Sequence, residues 1–526
     1  MNTPPALPRK KLPIGIQTLR EIRTEGHYYV DKTGFILDLI ENGKSYFLSR
    51  PRRFGKSLLL DTFKELFEGH AALFTGLAAE HGWDWSQRYP VIRISFSDGV
   101  LQSRAELEQR IREVLRVNRE ALALPRPPDL PESDTAGNLS ELIRQAHRHS
   151  GQRAVVLIDE YDKPMLDNIT DSRAALAMRE GLKNLYSVLK GADEHLKFVF
   201  LTGVSKFSKV SLFSGLNNLT DITLDRRYSA ICGYTDADVD TVFAPELGGL
   251  DRERIRQWYN GYNWLGDGVY NPFDALLLFR NRDFRPYWFE TGTPTFLVKL
   301  LAEQQFFTPD LGKLVTGEAL LSSFDVDRIE PEALLFQAGY LTIHDRREAL
   351  PGQWVYTLGY PNREVEASLN AALLGGYGLP ERSAFTSRLR LAELLQTGPL
   401  TALQEVFHGL FASIPYNWYT NNPIAQYEGY YASIFYSHFA ALGLDIRLED
   451  TTNHGRIDMT VLFSGQVFIF EFKVVELVPE GAALAQIKDR HYADKYRIRG
   501  EPLHLIGVEF SRASRNIVGF AVETLG

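Results

Sequence analysis

A chain of 526 residues with a net charge of −8 does not coat nucleic acid over its whole surface, although a global count leaves room for one basic groove. With 44% hydrophobic and 24% charged residues the chain can bury an extensive core, which excludes wholesale disorder. One cysteine, Cys232, excludes an internal disulfide framework and a cysteine-based zinc cluster.

Residues 1–14 are proline-rich and basic and read as a loose lead-in, with no apolar core of the signal-peptide type. No run reaches the ~18 apolar residues of a membrane helix. The expectation is a cytoplasmic protein without a membrane partner. KSYFLS at 44–49 reads as a short buried strand, followed by the turn RPRRFG and the helical spacing of KSLLLDTFKELFEG. RAVVLIDEYDKP at 153–164 and LKFVFLTGV at 196–204 begin as further apolar strands. Strands alternating with helices predict a parallel α/β sheet. The proline-rich LALPRPPDLPESD at 122–134 reads as a long loop inside that first domain. From about 235 the texture turns helical and aromatic. Residues 336–369 read as a helix end, a hairpin and a second helix, a winged-helix-like pattern. LGGYGLPERSA near 374–384 reads as a linker. The expected division is 1–235, 236–380 and 381–526.

Gly55-Lys56-Ser57 closes the segment RPRRFGKS between a strand and a helix. Phosphates bind in that setting, because backbone N–H groups and the helix N-terminus favour anions. Lys56 is expected to reach the β- and γ-phosphates of a nucleotide, and Ser57 to ligate Mg²⁺. Arg52, Arg53 and Phe54 complete the loop. Arg50 stands where the general pattern has glycine. Asp159, at the end of the strand VVLI, is expected to hold Mg²⁺ through water, and Glu160 to orient or deprotonate the attacking water. Thr202, ending FVFL, sits where a polar group could sense the γ-phosphate. A basic turn followed by solvated acids is the plainer alternative.

These stretches, with YYVDKT (28–33), LTGVSKFSKVSLFSGLNNLTDIT (201–223) and ICGYT (231–235), resemble the bacterial AAA-ATPase-like family. In that family the loop commonly reads RPRRFGKS, so Arg50 departs only from the general motif. The resemblance covers about 10–235 and continues more weakly through YNPF (270–273) and YWFETGTPTFL (287–297). It implies an ATP-binding P-loop NTPase fold, without a substrate.

A second constellation lies in GRIDMTVLFSGQVFIFEFKVV at 455–475. Two strands joined by a Ser464-Gly465 turn would set Phe463 opposite Gln466 and Asp458 opposite Glu471. Like charges so placed destabilise a hairpin unless a cation lies between them. Alternation puts Lys473 on the face of Glu471, with Phe470 and Phe472 on the other. Oxygen ligands of this kind suit Mg²⁺ or Mn²⁺, and Lys473 is placed to position water and stabilise phosphate charge. A surface strand with a salt bridge is the plainer alternative.

The pattern resembles the PD-(D/E)xK nuclease superfamily, over about 415–520. By that resemblance the last domain is an α/β, restriction-endonuclease-like unit. Glu428 would support the metal, and Gln486 would face the active site. The combined expectation is an ATPase that regulates a metal-dependent nuclease acting on DNA or RNA, in a chain that admits a homo-oligomer. A role in defence against mobile elements suits the architecture. A nucleotide switch that binds nucleic acid without cutting it is the rival reading. A helicase-type motor lacks further motifs. The Trp258, Tyr259, Tyr262 and Trp264 cluster, the Arg226-Arg227 pair, Glu449 and the scattered histidines read as packing or surface residues.

Overall fold

The computed structural model describes residues 8–127, 130–206, 212–213, 218–291, 297, 301, 308–318, 331–376, 381–412, 428–476 and 478–525. They fall into two units, Met1–Trp288 with Val315–Asn362, and Phe289–Leu314 with Arg363–Gly526.

The first unit is built on the expected apolar runs. In chain order it contains β1 (Ser45–Ser49), α1 (Lys56–Phe67), β2 (Val91–Ser95), α2 (Arg104–Ala121), α3 (Thr135–Ser150), β3 (Ala154–Asp159), α4 (Ser172–Gly191), β4 (Leu196–Gly203) and β5 (Thr220–Asp221). The strands form one sheet of order β2-β3-β4-β1-β5, with every adjacent pair parallel. β1 and β3 are buried at every position, which is why their sequences are continuous apolar runs rather than alternating ones. The proline-rich stretch at 122–134 runs between α2 and α3. Ser103 caps α2 by accepting from the Glu106 N–H, and Asp171 caps α4 through the N–H groups of Arg173 and Ala174.

The unit continues through α5 (Arg252–Tyr259) and α6 (Pro272–Asn281). These pack Ile255, Tyr259, Leu276 and Phe279 into a core with Tyr28, Val239 and Phe243. β6 (Leu314–Gly317), α7 (Pro331–Ala338), β7 (Thr342–Leu350) and β8 (Gln353–Gly359) follow, with a small sheet of order β6-β8-β7. The helix end, hairpin and helix expected over 336–369 are present in that order. Only the first two belong to this unit, because the change of unit falls between 362 and 363.

The second unit holds α8 (Arg363–Gly376), α9 (Glu381–Thr397), α10 (Leu403–Ala412), α11 (Glu428–Ala440), β9 (Asp445–Thr452), β10 (Gly455–Phe463), β11 (Gln466–Val475), α12 (Ala482–Asp489), β12 (Leu503–Ser511) and β13 (Asn516–Leu525). The stretch expected as a linker, 374–384, is the end of α8 and the start of α9, with 377–380 outside the described residues. Both helices stay in this unit because α8 buries Val365, Leu369 and Leu373. The sheet order is β13-β12-β11-β10-β9, antiparallel except between β11 and β12. α11 covers one face, with Phe435 5.5 and 5.1 Å from Phe470 and Phe472. α12 covers the other through Ile487, against Val467 and Ile469.

Candidate functional site

The phosphate-loop residues sit at the carboxyl end of β1, where a parallel sheet exposes its ligand crevice. Gly55 is the N-cap of α1 at φ 90°, a left-handed conformation that costs a side-chain residue about 1–2 kcal/mol. Arg53, at φ 67°, adopts the same region without glycine's freedom. Lys56 is 6% exposed, and its Nζ donates to the carbonyls of Arg50 and Pro51, 2.9 Å each. Burial lowers its pKa, against the opposing charges of Asp159 and Glu160. Ser57 is half-buried on the first turn, and Arg52 and Arg53 are exposed.

β4 lies between β1 and β3, so Thr202 stands between the loop strand and the acid strand. Its buried hydroxyl donates to Asp159 Oδ1 at 2.8 Å. Glu160 follows at φ 52°, with its pKa raised by burial. The geometry therefore brings Lys56, Asp159, Glu160 and Thr202 to one edge of the sheet.

Two residues beyond the expected set shape this edge. Asp162 is buried, and its carboxylate accepts from the N–H groups of Val204 and Ser205 and from the Ser205 hydroxyl. It thereby fixes the turn after Thr202, and the third acid of DEYD, two residues after the Asp159-Glu160 pair, is its sequence signal. Arg50 is wholly buried. Its guanidinium donates to the carbonyls of Ser49, Thr223 and Tyr228 at 2.9, 2.9 and 3.1 Å, and lies 4.1 Å from the Trp264 ring centre. Burial pulls its pKa down to about 10. An arginine in place of glycine, with an aromatic-rich segment downstream, is the signal for this role.

The aromatic cluster is packing against the loop. Phe54 inserts edge-on against Tyr262 and Trp264, at 4.7 and 5.4 Å. Trp288 Nε1 donates to the Arg52 carbonyl at 3.1 Å. Gly339 packs on Pro51 so closely that a Cβ would lie 2.7 Å from its ring. Arg227 is exposed and chelates Asp225, the ordinary surface arrangement.

In the second unit the hairpin register is the one read from the turn. Ser464 and Gly465 both have positive φ, 50° and 72°, and Phe463 pairs with Gln466 through to Met459 with Phe470. The next step sets Asp458 opposite Glu471. The ladder stops there because the Phe472 N–H donates to Asp458 Oδ2, at 2.8 Å, instead of to the backbone.

Glu471 is fully buried. Its Oε1 accepts from Lys473 Nζ at 3.2 Å and from the Gln486 amide on α12. Its Oε2 is buried with no hydrogen-bond partner among the described residues. Burial, then the charge of Asp458, push its pKa up to about 7, and burial also raises Asp458. Two desolvated carboxyls facing each other, one with an orphaned oxygen, fit a hard divalent cation.

Asp458, Glu471, Lys473 and Gln486 are thus brought together. Glu428 begins α11, but its side chain lies outside the described residues. Glu449, in line with Asp458 on β9, has φ 47° and pairs with Arg456 at 2.8 Å on the surface. Among the described residues, Glu65, Glu68 and His70 also gather, but Arg20 and Lys64 already pair with Glu65 at 2.9 and 3.1 Å. Among those residues no helix is long and apolar enough to cross a membrane.

Residues 13–213 match the model of a family described as "Predicted AAA-ATPase", and residues 426–520 match that of the PD-(D/E)XK nuclease superfamily. The chain is 62% identical, over 98% of its length and the whole of the relative, to an Azotobacter chroococcum mcd 1 protein titled "Uncharacterized protein in vnfD 5'region". No solved structure matches.

Proposed function

Because the chain belongs to the family of AAA-ATPase-like proteins with a C-terminal PD-(D/E)XK nuclease superfamily domain, we propose that it binds and hydrolyses ATP at the edge of the first sheet and thereby regulates phosphodiester cleavage of DNA or RNA at the Asp458 hairpin. The observation that carries this reading is Glu471: a fully buried carboxylate, one oxygen of which has no hydrogen-bond partner among the described residues, facing a second carboxylate and flanked by a lysine.

At the first site, Lys56 exchanges its loop carbonyls for the β- and γ-phosphates, and Arg52 and Arg53 add positive charge at the rim. Ser57 and Asp159 would hold Mg²⁺ with the nucleotide. Glu160 orients the attacking water and Thr202 senses the γ-phosphate. Phe54 and Gly55 set the loop's shape.

At the second site, Asp458 and Glu471, supported by Glu428, would hold Mg²⁺ or Mn²⁺. A cation there supplies Lewis acidity and offsets the facing negative charges. Gln486 fixes the rotamer of Glu471. Lys473 positions the water and balances charge developing on the phosphate. Cytoplasmic residence and a role in defence against mobile elements complete the reading, and the three-part division 1–235, 236–380 and 381–526 is proposed as a division of the sequence that cuts across the two compact units.

The test is cleavage of DNA and RNA panels by the purified chain in Mg²⁺ or Mn²⁺, with and without ATP. Lys473→Ala lowers cleavage about 10³-fold if the reading holds. Cleavage unchanged in that variant would overturn the assignment. Binding of nucleic acid without cleavage under every condition would favour the non-cutting switch.

A further inference from the structure

Residues 214–425 lie between the two family matches and are covered by neither. Their described residues include an open groove of about 1110 Å³, counting its mouth. It lies in the first unit, between the start of α5 and the end of α6. Three arginines line it: Arg254 on α5, Arg282 at the C-cap of α6, and Arg285 just beyond.

These three differ from the arginines beside them. Arg252 pairs with Asp236 and Asp240, and Arg256 with Glu253, each at 2.6 Å. Among the described residues, Arg254, Arg282 and Arg285 pair with no carboxylate. The fold nevertheless positions them. The Arg254 guanidinium lies 4.2 Å from the Phe284 ring centre. Arg282 donates to the carbonyls of Glu246 and Gly248 and keeps its remaining N–H groups for a ligand. Its φ of 64° is the kind of strained backbone that collects at ligand clamps. Arg285 starts from a fixed backbone, whose N–H and carbonyl both bond the Tyr259 hydroxyl at 2.9 Å. Two carboxylates share the wall. Asp251 is engaged in capping α5 through the N–H groups of Glu253 and Arg254, and Asp283 is exposed. The groove therefore carries an excess of positive charge on a chain whose net charge is −8.

The guanidinium fork matches the oxygens of a phosphate two at a time, and an open groove with three such forks suits a chain of phosphates better than a single anion. Phe284 lines the groove and Trp258 packs on it at 5.9 Å, both half-buried. Aromatic faces beside cations offer a base somewhere to stack, a contact that an acidic peptide does not use. We propose that this groove binds the phosphodiester backbone of a nucleic acid strand, a contact made by the first unit in addition to the hairpin of the second. The choice of nucleic acid over another polyanion rests on the nuclease reading above. The groove adds to that reading a binding site on the unit that carries the phosphate loop.

The experiment is fluorescence anisotropy of labelled DNA and RNA oligonucleotides on the full chain, in EDTA so that nothing is cleaved, across a range of salt. The unaltered chain binds, and the double variant Arg254→Glu with Arg285→Glu binds at least about tenfold more weakly. The slope of log affinity against log salt falls by about 0.7–0.9 for each arginine lost. Both side chains are exposed, so thermal stability and ATP affinity stay as they are. Unchanged oligonucleotide affinity and slope in the double variant would overturn the groove and leave the hairpin reading, which cleavage judges separately. Failure of the unaltered chain to bind any oligonucleotide also overturns it.

A second readout needs no variant. Phenylglyoxal modifies exposed arginines, and peptide mass spectrometry of the unaltered chain reports each one. Saturating oligonucleotide slows modification of Arg254 and Arg285 at least about fivefold, whereas polyglutamate at equal charge does not, because it lacks the stacking bases. Rates at both arginines that ignore the oligonucleotide overturn the proposal. Equal protection by polyglutamate overturns the assignment to nucleic acid.

Discussion

The two sites are opposites in sign. At the edge of the first sheet a lysine is buried among backbone carbonyls, and burial lowers its pKa. In the hairpin of the second unit a fully buried carboxyl, Glu471, faces a half-buried one, Asp458, and burial raises the pKa of both. Each is held in a state that its own desolvation disfavours, and on the proposed reading each is relieved by a ligand of opposite charge. The difference lies in how the cost is carried. The lysine is satisfied by the loop itself and must exchange partners to bind phosphate. Among the described residues, Glu471 Oε2 has no hydrogen-bond partner. Buried groups of this kind are more informative about ligand class than the overall charge of the chain, which is negative for both sites alike.

That contrast can be broken most sharply at Lys473. Its replacement by alanine lowers single-turnover cleavage about 10³-fold, while ATP affinity stays within about twofold. Calorimetry with ATP and a gel assay on one preparation check both halves. Lys56→Ala is the reciprocal test. It weakens ATP binding at least about 100-fold and leaves Mn²⁺ binding at the hairpin unchanged, as paramagnetic resonance of the bound ion would record.

Arg50→Gly sharpens the comparison from the side of stability. It restores the general motif yet removes a buried guanidinium that satisfies carbonyls on two segments. The expected loss is about 3 kcal/mol in urea unfolding. Arg50→Lys does not rescue it, because one ammonium cannot span those acceptors and stack on Trp264. Gly55→Ala forces a side chain into the φ 90° conformation and weakens ATP binding about tenfold, while adding no clash, since no atom lies within 4 Å of the new Cβ.

The smallest effect is a pH dependence confined to the second unit. His438 on α11 is fully buried, and burial pushes its pKa from 6.5 down to about 4. The unfolded chain therefore takes up a proton that the folded one refuses. Its contribution to stability is complete above pH 6.5 and is lost as pH falls toward 4. The slope is at most about 1.4 kcal/mol per pH unit. His438→Phe flattens that part of the profile in thermal unfolding between pH 7 and pH 5.

Much of the nuclease hairpin was legible because strand alternation has a period of two and a two-residue turn sets the register. Once Ser464-Gly465 is the turn, the pairing of Phe463 with Gln466 and the common face of Glu471 and Lys473 follow without further information. The setting of Gly55-Lys56-Ser57, between an apolar strand and a helix, was legible for a similar reason. The partition of the middle segment was not. The hairpin at 342–359 and the helix from Arg363 are adjacent in sequence, yet they belong to different units. Nothing in local patterning states which core an apolar face will join.

The sequence by itself determined the elements and the short-range geometry: buried strands from continuous apolar runs, helices from their spacing, the hairpin register, and the acids and lysines at strand ends. These depend on neighbours a few residues away. The tertiary structure alone decided that β4 enters between β1 and β3 and so carries Thr202 to Asp159. It alone decided that Arg50 is anchored by residues 223–229 and Trp264, and that Gln486 reaches Glu471. Those contacts join segments far apart in the chain. They are selected by the burial and hydrogen-bond satisfaction of the whole unit, which no local period encodes.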